Sequence, residues 1–379
     1  MLSLEGIVLL DSAHQYPGPY CSMLLGDLGA EVIKIERPDG GDPARYLNGF
    51  FQSINRNKKG MTLDLKEPEA KDVLYRLVKR ADIFTEGFRP GVVKRLGIDY
   101  ETLREINPRL IYCSISGYGQ DGPYRNLPGH DLNYLAMAGM LDCMRDSQDD
   151  PVVPGAAIGD LSSGMFAAIG ILAALVAREK TGRGQYIDVS IFDGLVSWMG
   201  TRLGVFFDRG ATEKRSVVPG YGIFRAADGR HFTTSIIHEN SFWDRLCSAI
   251  GLDEYVGMPL MDRQKRGKEL AERLRTVFSQ RPRDEWVTIL TEADVPVAPV
   301  RDLQEVSEDP HIRFRRMIEE VQLGSDKPAR QVGFPVKLSE TPAAIRRPSP
   351  ALGEHTGEIL KWLGYAPDEM EGLKEKGII

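Results

Sequence analysis

The 379-residue chain predicts an α/β protein, with a large unit built on a parallel sheet and a smaller second unit. In the first half, short apolar runs typical of strands alternate with patterns typical of helices. Strand, helix, strand in this order implies right-handed crossovers and therefore parallel pairing. Near residues 205–222 several Gly and Pro residues interrupt the pattern. The length is sufficient for two structural units.

Each element of the large unit is predicted from its own pattern. The run at 6–11 is continuously apolar and ends in Asp11, which is typical of a strand covered on both faces. The other predicted strands are at residues 31–36, 81–85 and 110–115. The predicted helices are at residues 20–28 and 67–80. The longest apolar stretch, 166–176, is shorter than the roughly 20 residues that a membrane span needs, so we predict a buried helix there.

Beyond the interruption, residues 222–225 and 231–237 flank an Asp228-Gly229 turn and predict a hairpin. Helical patterns follow at residues 241–250, 265–279 and 283–293, and the tail is predicted to be extended over 335–350 and helical over 353–364. We therefore predict a large domain at 1–205, a linker at 206–221, a small domain at 222–310 and a C-terminal return to the large domain at 311–379.

Composition excludes several classes of function. The formal net charge of −6 gives no electrostatic footprint for nucleic acid. Four cysteines without CxxC spacing predict a reduced cytoplasmic protein, and we expect neither a signal peptide nor a membrane partner. The six histidines show no HExxH spacing, so no metal site is predicted. The first strand–helix junction lacks GxGxxG, so the dinucleotide fingerprint is absent.

Two polar residues beside glycines are the candidate proton-handling groups. Asp160, in a Gly-Asp-Leu-Ser-Ser-Gly segment, precedes the apolar helical pattern at 165–177, and helix N-terminal N–H groups would favour negative charge there. His130, in Gly-His-Asp-Leu-Asn-Tyr, is of the residue type whose unperturbed pKa of about 6.5 suits proton exchange at cellular pH. The structural alternatives are a simple N-cap for Asp160 and a hydrogen-bonded structural histidine for His130.

An ordered set of short motifs covers essentially the whole chain. They are residues 17–20 (Pro-Gly-Pro-Tyr), 25–36 (Leu-Gly-Asp-Leu-Gly-Ala-Glu-Val-Ile-Lys-Ile-Glu), 55–59 (Asn-Arg-Asn-Lys-Lys), 88–91 (Phe-Arg-Pro-Gly), 116–123 (Ser-Gly-Tyr-Gly-Gln-Asp-Gly-Pro) and 181–185 (Thr-Gly-Arg-Gly-Gln). Together they resemble the class III CoA-transferase (CaiB/BaiF) family, which includes the alpha-methylacyl-CoA racemases. The resemblance implies a Rossmann-like large domain made from both chain ends, with a small α+β domain between them. It also implies an interlocked homodimer, in which each chain threads through the other.

Two chemistries on an acyl-CoA are implied by this resemblance. In the transferases the aspartate that corresponds to Asp160 attacks the thioester, giving an aspartyl anhydride and then an enzyme-bound CoA thioester. In the racemases this aspartate and the histidine that corresponds to His130 lie on opposite sides of the alpha carbon and exchange its proton through an enolate. A glutamate of the small domain, here Glu239, orients that histidine.

Two features favour the racemase branch and one departs from it. His130 stands where transferases usually have another residue, and Glu239 precedes the aromatic Phe242 in a segment without glycine. However, residues 162–164 are Ser-Ser-Gly rather than a run of glycines, which predicts a pocket floor shaped for a different acyl group. We favour a racemase or epimerase, with a CoA-transferase as the alternative. A catalytically silent subunit of a heteromeric transferase is disfavoured because Asp160 is present.

The resemblance also implies that scattered basic residues bind the CoA phosphates. The positions carried over are Arg37, Arg56, Lys59, Arg89, Lys94 and Arg95. Arg37 and Arg89 are favoured, because a guanidinium can hold a phosphate with two hydrogen bonds. Any one of these side chains could instead be a solvated surface charge. No cofactor beyond the CoA moiety of the substrate is expected.

Overall fold

The computed structural model describes residues 1–146, 148–210, 218–321 and 329–379. The chain divides into a large unit of Met1–Leu203 with Arg315–Ile379, and a small unit of Gly204–Phe314. The large unit is therefore discontinuous, because both ends of the chain contribute to it. Of the linker predicted at 206–221, residues 211–217 lie outside the described residues and residues 206–209 are helical instead.

A sheet of six parallel strands forms the centre of the large unit, in the order β3-β2-β1-β4-β5-β6. In chain order the strands are β1 Val8–Asp11, β2 Glu31–Glu36, β3 Lys58–Thr62, β4 Ile83–Glu86, β5 Ile111–Ser116 and β6 Tyr186–Ser190. The strand order reverses between β1 and β4. In open parallel sheets, ligands bind at such a reversal, beyond the carboxyl ends of the strands.

Four of the six strands were predicted from apolar runs, and the structure confirms them to within two residues at each end. No strand was predicted at β3 or β6. β3 begins at Lys58, whose side chain is fully buried and whose Nζ lies 3.1 Å from Oδ2 of Asp11. Because β3 reads Lys-Lys-Gly-Met-Thr, with a single large apolar residue, the local pattern could not reveal this strand.

Helices cover both faces of the sheet. Those before residue 200 are α1 Pro17–Asp27, α2 Asn48–Ile54, α3 Pro68–Val78, α4 Val92–Leu96, α5 Tyr100–Ile106, α6 Asp131–Met137, α7 Met140–Cys143, α8 Ile158–Thr181 and α9 Ile191–Trp198, with a 3-10 turn at Pro43–Tyr46. Leu9 of β1 packs with α1 and α8 on one face, whereas its neighbour Leu10 packs with α3 on the other. This alternation explains the uninterrupted apolar run of β1.

Helix α8 is the one helix, in the part of the chain that the structure describes, that is long and apolar enough to cross a membrane by length and composition. Its inner face belongs to the core of the large unit, with Ala167 and Ile171 fully buried. Its outer face leaves Ile169 58% and Val176 63% exposed. The predicted helix at 166–176 is confirmed; its inner face is buried as predicted, whereas its outer face is exposed in a single chain.

The small unit combines a three-stranded antiparallel sheet with short helices. Helix α10, Gly200–Arg209, begins in the large unit and ends in the small one, and is followed by β7 Tyr221–Arg225, β8 His231–Ser235, α11 Asn240–Ala249, a 3-10 turn at Asp253–Tyr255, α12 Leu260–Lys265, α13 Gly267–Phe278, α14 Arg283–Glu292, β9 Val297–Pro299, α15 Leu303–Glu308 and α16 Pro310–Phe314. The predicted hairpin and all three predicted helices are confirmed. β9 is only three residues long and contains Pro299, so it gave no strand signal.

The C-terminal segment joins the edge of the large sheet. It contains an antiparallel strand pair, β10 Ile318–Val321 and β11 Ala329–Val332, and the helices α17 Thr356–Trp362 and α18 Pro367–Glu375. The Thr62 N–H of β3 donates to Oγ1 of Thr356 at 3.0 Å, and the Gly60 N–H donates to Nδ1 of His355 at 3.2 Å. The predicted fold class is thus confirmed, with a parallel-sheet large unit and a smaller α+β unit.

Candidate active site

A cavity of about 730 Å³ lies in the large unit beyond the carboxyl ends of β1, β4 and β5. The turn after β1, the loop after β4, the segment after β5 and the first turn of α8 contribute to its wall. Because the carboxyl ends of parallel strands share one edge of a sheet, residues far apart in sequence meet there. His130 and Asp160 both line this cavity, so the structure brings the predicted pair together.

His130 immediately precedes α6, and its backbone is held from two sides. Its N–H donates to Oδ1 of Asn133 at 3.0 Å. Tyr134 donates from its hydroxyl to the carbonyl of Gly129 at 2.7 Å. A Cβ at Gly129 would lie 2.7 Å from the Tyr134 ring, so the glycine before the histidine lets this ring close against the backbone. The imidazole remains exposed on a fixed backbone.

Asp160 lies in the first turn of α8, beside Asp131 of α6. Oδ1 of Asp131 accepts the N–H of Gly159 at 2.6 Å and the N–H of Asp160 at 3.0 Å. A Cβ at Gly159 would lie 2.9 Å from the same oxygen, so only glycine leaves room for this contact. Asp131, which the sequence left open as a capping or orienting residue, therefore caps the start of a helix 28 residues away.

Because of this contact, Asp160 is less readily ionised than the sequence led us to expect. The helix N-terminal N–H groups were expected to favour a negative Asp160, but Asp131 occupies two of them. Burial first, and then the charge of Asp131, raise the pKa of Asp160 to about 7. The expectation is therefore wrong, and at neutral pH Asp160 can both release and accept a proton.

The residues after Asp160 do not form a floor for this cavity. Ser162, Ser163 and Gly164 are buried, and none of them lines it. The Ser162 hydroxyl donates to the Gly159 carbonyl at 3.0 Å, and the Ser163 hydroxyl donates to the Asp160 carbonyl at 3.0 Å. The prediction that this Ser-Ser-Gly segment shapes the pocket floor is wrong: both serine hydroxyls bond to their own helix, and Gly164 lies against α1.

Among the predicted CoA-binding residues, three arginines are near cavities of the large unit. Arg89 and Arg95, on the loop after β4 and on α4, line the cavity that contains His130 and Asp160. Arg37 lines a neighbouring cavity of about 360 Å³, and its Nε donates to the Gly41 carbonyl at 3.3 Å. His14 and Phe88 contribute to both cavities, which therefore adjoin each other.

The remaining basic candidates are placed differently. Arg56 is buried, and its guanidinium lies 2.6 Å from Oδ2 of Asp27, so it stabilises the large unit rather than facing a ligand. Lys59 lies 2.6 Å from a carboxylate oxygen of Glu31 and 2.8 Å from one of Glu358. Lys94 is exposed on α4 and lines neither of these two cavities.

Glu239 lies in the small unit, immediately before α11. Its Oε2 accepts the N–H groups of Ile237 and His238, each at 3.1 Å. Backbone N–H groups, its own first and then that of Ile237, lower the pKa of Glu239, so the side chain is a carboxylate at neutral pH. Its role in orienting His130 stays a prediction.

Three further side chains of the cavity wall were missed in the sequence. Tyr16, Tyr134 and Arg125 all line the cavity. Tyr16 follows the carboxyl end of a predicted strand, which is the position where parallel sheets place functional groups, and this signal could have identified it. Arg125 lies five residues before His130 and carried no signal beyond that proximity.

No cluster of three or more His, Cys, Asp or Glu side chains suited to a metal ion occurs within the described ranges. The cavity wall carries carboxyl, imidazole, phenol and guanidinium groups.

Comparison with known proteins gives a consistent result. The sequence model of the family described as CoA-transferase family III matches residues 4–356. The chain is 34% identical to the alpha-methylacyl-CoA racemase of Homo sapiens, over 100% of this chain and 98% of that protein. It is also 34% identical to the succinyl-CoA:mesaconate CoA-transferase of Haloarcula hispanica, over 96% of this chain and 97% of that protein. The crystal structure of a CaiB/BaiF family protein from Brucella suis superposes with a TM-score of 0.87 at 29% identity, covering 96% of this chain and 99% of that one.

The fold and the cavity define an α/β enzyme with a carboxyl and an imidazole at the carboxyl edge of a parallel sheet. The chain belongs to CoA-transferase family III, as the sequence motifs implied. Since a racemase and a transferase are equally similar to it, the reaction has to be argued from the site.

Proposed function

We propose that the protein is an acyl-CoA racemase or epimerase, which inverts the alpha carbon of a 2-methyl-branched or otherwise 2-substituted acyl-CoA. His130 and Asp160 are its two bases. One removes the alpha proton, and the C–H electron pair forms an enolate whose negative charge rests on the thioester oxygen. The other base then protonates the opposite face. No C–S bond breaks and nothing is oxidised, so the reaction requires no cofactor beyond the CoA moiety.

The position of His130 and Asp160 on the wall of one cavity is the observation that carries this proposal, and the raised pKa of Asp160 supports it. A two-base reaction needs groups that take up and release a proton at ambient pH. Burial and Asp131 raise the pKa of Asp160 to about 7, and imidazole is the side chain that ordinarily exchanges protons in the same range. A carboxylate that acts only as a nucleophile would be favoured by a lowered pKa, because only its ionised form attacks.

The other predicted residues have supporting roles. We assign Glu239 to the orientation of His130, because a carboxylate partner fixes the tautomer of an imidazole. We assign Arg37, Arg89 and Arg95 to the CoA phosphates, because their guanidinium groups are at or near the cavity wall. Lys59, which already has two carboxylate partners, and Lys94, which is off the cavity, are weaker candidates.

A CoA-transferase is the second candidate. The equal identity to the Haloarcula enzyme supports it, and so does the position of Asp160 on the cavity wall. In this reaction an ionised Asp160 attacks the donor thioester, and CoA leaves as the thiolate, which gives an aspartyl anhydride. The thiolate then attacks the Asp160 carbonyl of this anhydride, so that the donor leaves as its carboxylate and an enzyme-bound CoA thioester remains. The acceptor carboxylate attacks this thioester, and the released thiolate attacks the acceptor carbonyl of the new anhydride, which gives the acceptor-CoA and free Asp160.

One experiment separates the two reactions. Each enantiomer of a 2-methylacyl-CoA is incubated with the protein in deuterated water, and the alpha position is followed by NMR. We expect deuterium incorporation together with inversion. No exchange with several acyl groups would contradict the racemase. CoA transfer to a free carboxylate, with a hydroxylamine-sensitive adduct at Asp160, would establish the transferase.

Single-base variants sharpen the result. His130→Ala should retain exchange of only the enantiomer whose alpha proton faces Asp160, and Asp160→Asn should retain only the opposite one. Neither variant should invert the centre. His311→Ala, at an exposed histidine of α16, is the matched control and should behave as wild type. A His130→Ala enzyme that inverts both enantiomers normally would rule out His130 as a base.

We also propose that the protein forms the interlocked homodimer implied by its family. Helix α10 has no buried residue, although it carries Phe206 and Phe207, which are 42% and 75% exposed. The outer face of α8 is likewise apolar and exposed at Ile169 and Val176. Apolar surface of this kind usually marks an association site, and a second copy is the commonest partner.

A further inference from the structure

The close packing of α1 on α8 determines the position of Tyr16. A Cβ at Gly164 would lie 2.7 Å from the backbone oxygen of Pro17, so the start of α1 rests directly on α8. Gly164 follows Asp160 by one helical turn and therefore lies on the same side of α8. Tyr16, the residue immediately before α1, is thereby brought level with Asp160, and both line the cavity.

The aromatic ring of Tyr16 packs against Phe50, whereas its hydroxyl is available to donate a hydrogen bond to a ligand. Its ring centroid lies 4.8 Å from that of Phe50, at an interplanar angle of 51°. The preceding N–H, of Gln15, donates to Oδ1 of Asp42 at 3.0 Å. No described residue hydrogen-bonds the Tyr16 hydroxyl. Burial first, and then the charge of Asp160, raise the pKa of Tyr16, so the phenol stays protonated and can donate.

Both proposed chemistries place negative charge on the thioester oxygen, and that oxygen needs a hydrogen-bond donor. The N–H groups of Gly159 and Asp160 would be obvious donors, but both already bond to Asp131. The Tyr16 hydroxyl is a remaining donor of the cavity wall beside Asp160.

We infer that Tyr16 is a further catalytic residue, whose hydroxyl donates a hydrogen bond to the thioester carbonyl oxygen of the bound acyl-CoA. The inference rests on the proposed function. In the racemase step the alpha proton moves to His130 or Asp160, the C–H pair forms the carbon–carbon double bond, and the carbonyl pair moves to oxygen. The phenol keeps its own proton throughout. Reprotonation at carbon reverses these shifts.

Tyr16→Phe tests the inference, because it removes one oxygen and preserves the ring that packs on Phe50. Loss of one oxyanion donor typically lowers kcat by about 100- to 1000-fold. We expect a fall in the kcat of alpha-proton exchange of at least about 30-fold, with KM changed less than about threefold. Tyr124→Phe is the matched control, at an exposed tyrosine outside the cavity, and should retain wild-type rates.

The outcomes distinguish this inference from the proposed function. If wild type exchanges deuterium and Tyr16→Phe does so at the same rate, the inference is wrong and the racemase stands. If Tyr16→Phe raises KM and leaves kcat unchanged, Tyr16 binds substrate uniformly, and the inference is again wrong. If wild type catalyses neither exchange nor CoA transfer, the proposed function and the inference both fail. Unchanged thermal unfolding and unchanged CoA binding of the variant would exclude misfolding as the cause of a loss.

Discussion

Asp131 acts on Asp160 in two ways, through the backbone and through its charge. Its carboxylate accepts the N–H of Asp160 itself, which fixes the start of α8. The same charge is second to burial among the causes that raise the pKa of Asp160 to about 7. One residue thus holds the backbone of the proposed base and contributes, after burial, to its proton affinity, although it does not line the cavity.

Asp131→Asn should separate these two effects. The amide oxygen of asparagine can still accept the two N–H groups, but the negative charge is gone. The pKa of Asp160 should then fall below 7, so its carboxylate persists to lower pH. For the enantiomer that Asp160 deprotonates, the acid limb of the kcat/KM profile should move to lower pH. The opposite enantiomer, deprotonated by His130, is the internal control. An acid limb that stays in place for both would contradict the assignment.

Asp160 should also be a source of instability at neutral pH. Its pKa is raised from 3.8 to about 7 by burial and by Asp131, so the folded state binds a proton more tightly than the unfolded state does. The favourable contribution is complete below pH 3.8 and is lost as the pH rises through 7. Asp160→Asn should therefore raise the melting temperature at pH 8 by about 2–4 °C.

Melting curves between pH 4 and pH 8 test this sign. At pH 4 both wild type and Asp160→Asn carry an uncharged side chain for most of the population, and the difference should nearly vanish. Asp142→Asn, at an exposed aspartate of α7, controls for the general effect of removing a carboxylate. A gain of stability that is equal at both pH values would show that ionisation of Asp160 is not the cause.

At the scale of elements, the contact between α1 and α8 connects the fold to the site. Gly164 of α8 lies against the Pro17 backbone at the start of α1, and Tyr16 and Asp160, which are close in sequence to these two residues, both line the cavity. Small side chains let the two backbones approach, and the serine hydroxyls bond back to their own helix. The Ser-Ser-Gly segment is therefore a packing feature, and the selection of the acyl group depends on other residues.

Gly164→Ala tests this contact. The added methyl would lie 2.7 Å from the Pro17 oxygen, a backbone atom that cannot move without displacing α1. We expect a loss of about 1–3 kcal/mol in unfolding free energy, measured by urea denaturation, together with lower activity because Tyr16 and Asp160 separate. The same change at Gly372 of α18, where nothing lies within 4 Å of the added Cβ, should instead stabilise the helix by about 0.5–1 kcal/mol. Equal effects at both positions would contradict the role of close packing.

At the scale of the whole molecule, the sequence predicted what depends on local pattern. The run at 110–115 revealed a strand because it is almost entirely apolar, and the run at 31–36 did so because Val32, Ile33 and Ile35 outweigh Lys34. β3 was missed because it begins with Lys58. The burial of this lysine depends on the carboxylate of Asp11, which belongs to another strand. The role of Asp131 could not be predicted for the same reason, because the N–H groups that donate to its carboxylate belong to a helix that begins 27 residues later. A contact between residues that are far apart in sequence leaves no periodic pattern in either segment, so local patterns cannot predict it.

The proposed dimer makes the last prediction. Size-exclusion chromatography with light scattering should give twice the 42.2 kDa of one chain. Two threaded chains cannot separate without unfolding, so dilution to nanomolar concentration should leave the dimer intact. Tagged and untagged dimers mixed under native conditions should form no mixed species within days, whereas mixing them in denaturant and refolding should give a statistical proportion. Rapid native exchange would show an ordinary side-by-side dimer, and a monomer would leave the apolar faces of α8 and α10 without the partner proposed for them.

Phe207→Glu should impair assembly during refolding, because a charge would be buried at the interface, whereas the apolar Phe207→Leu should not.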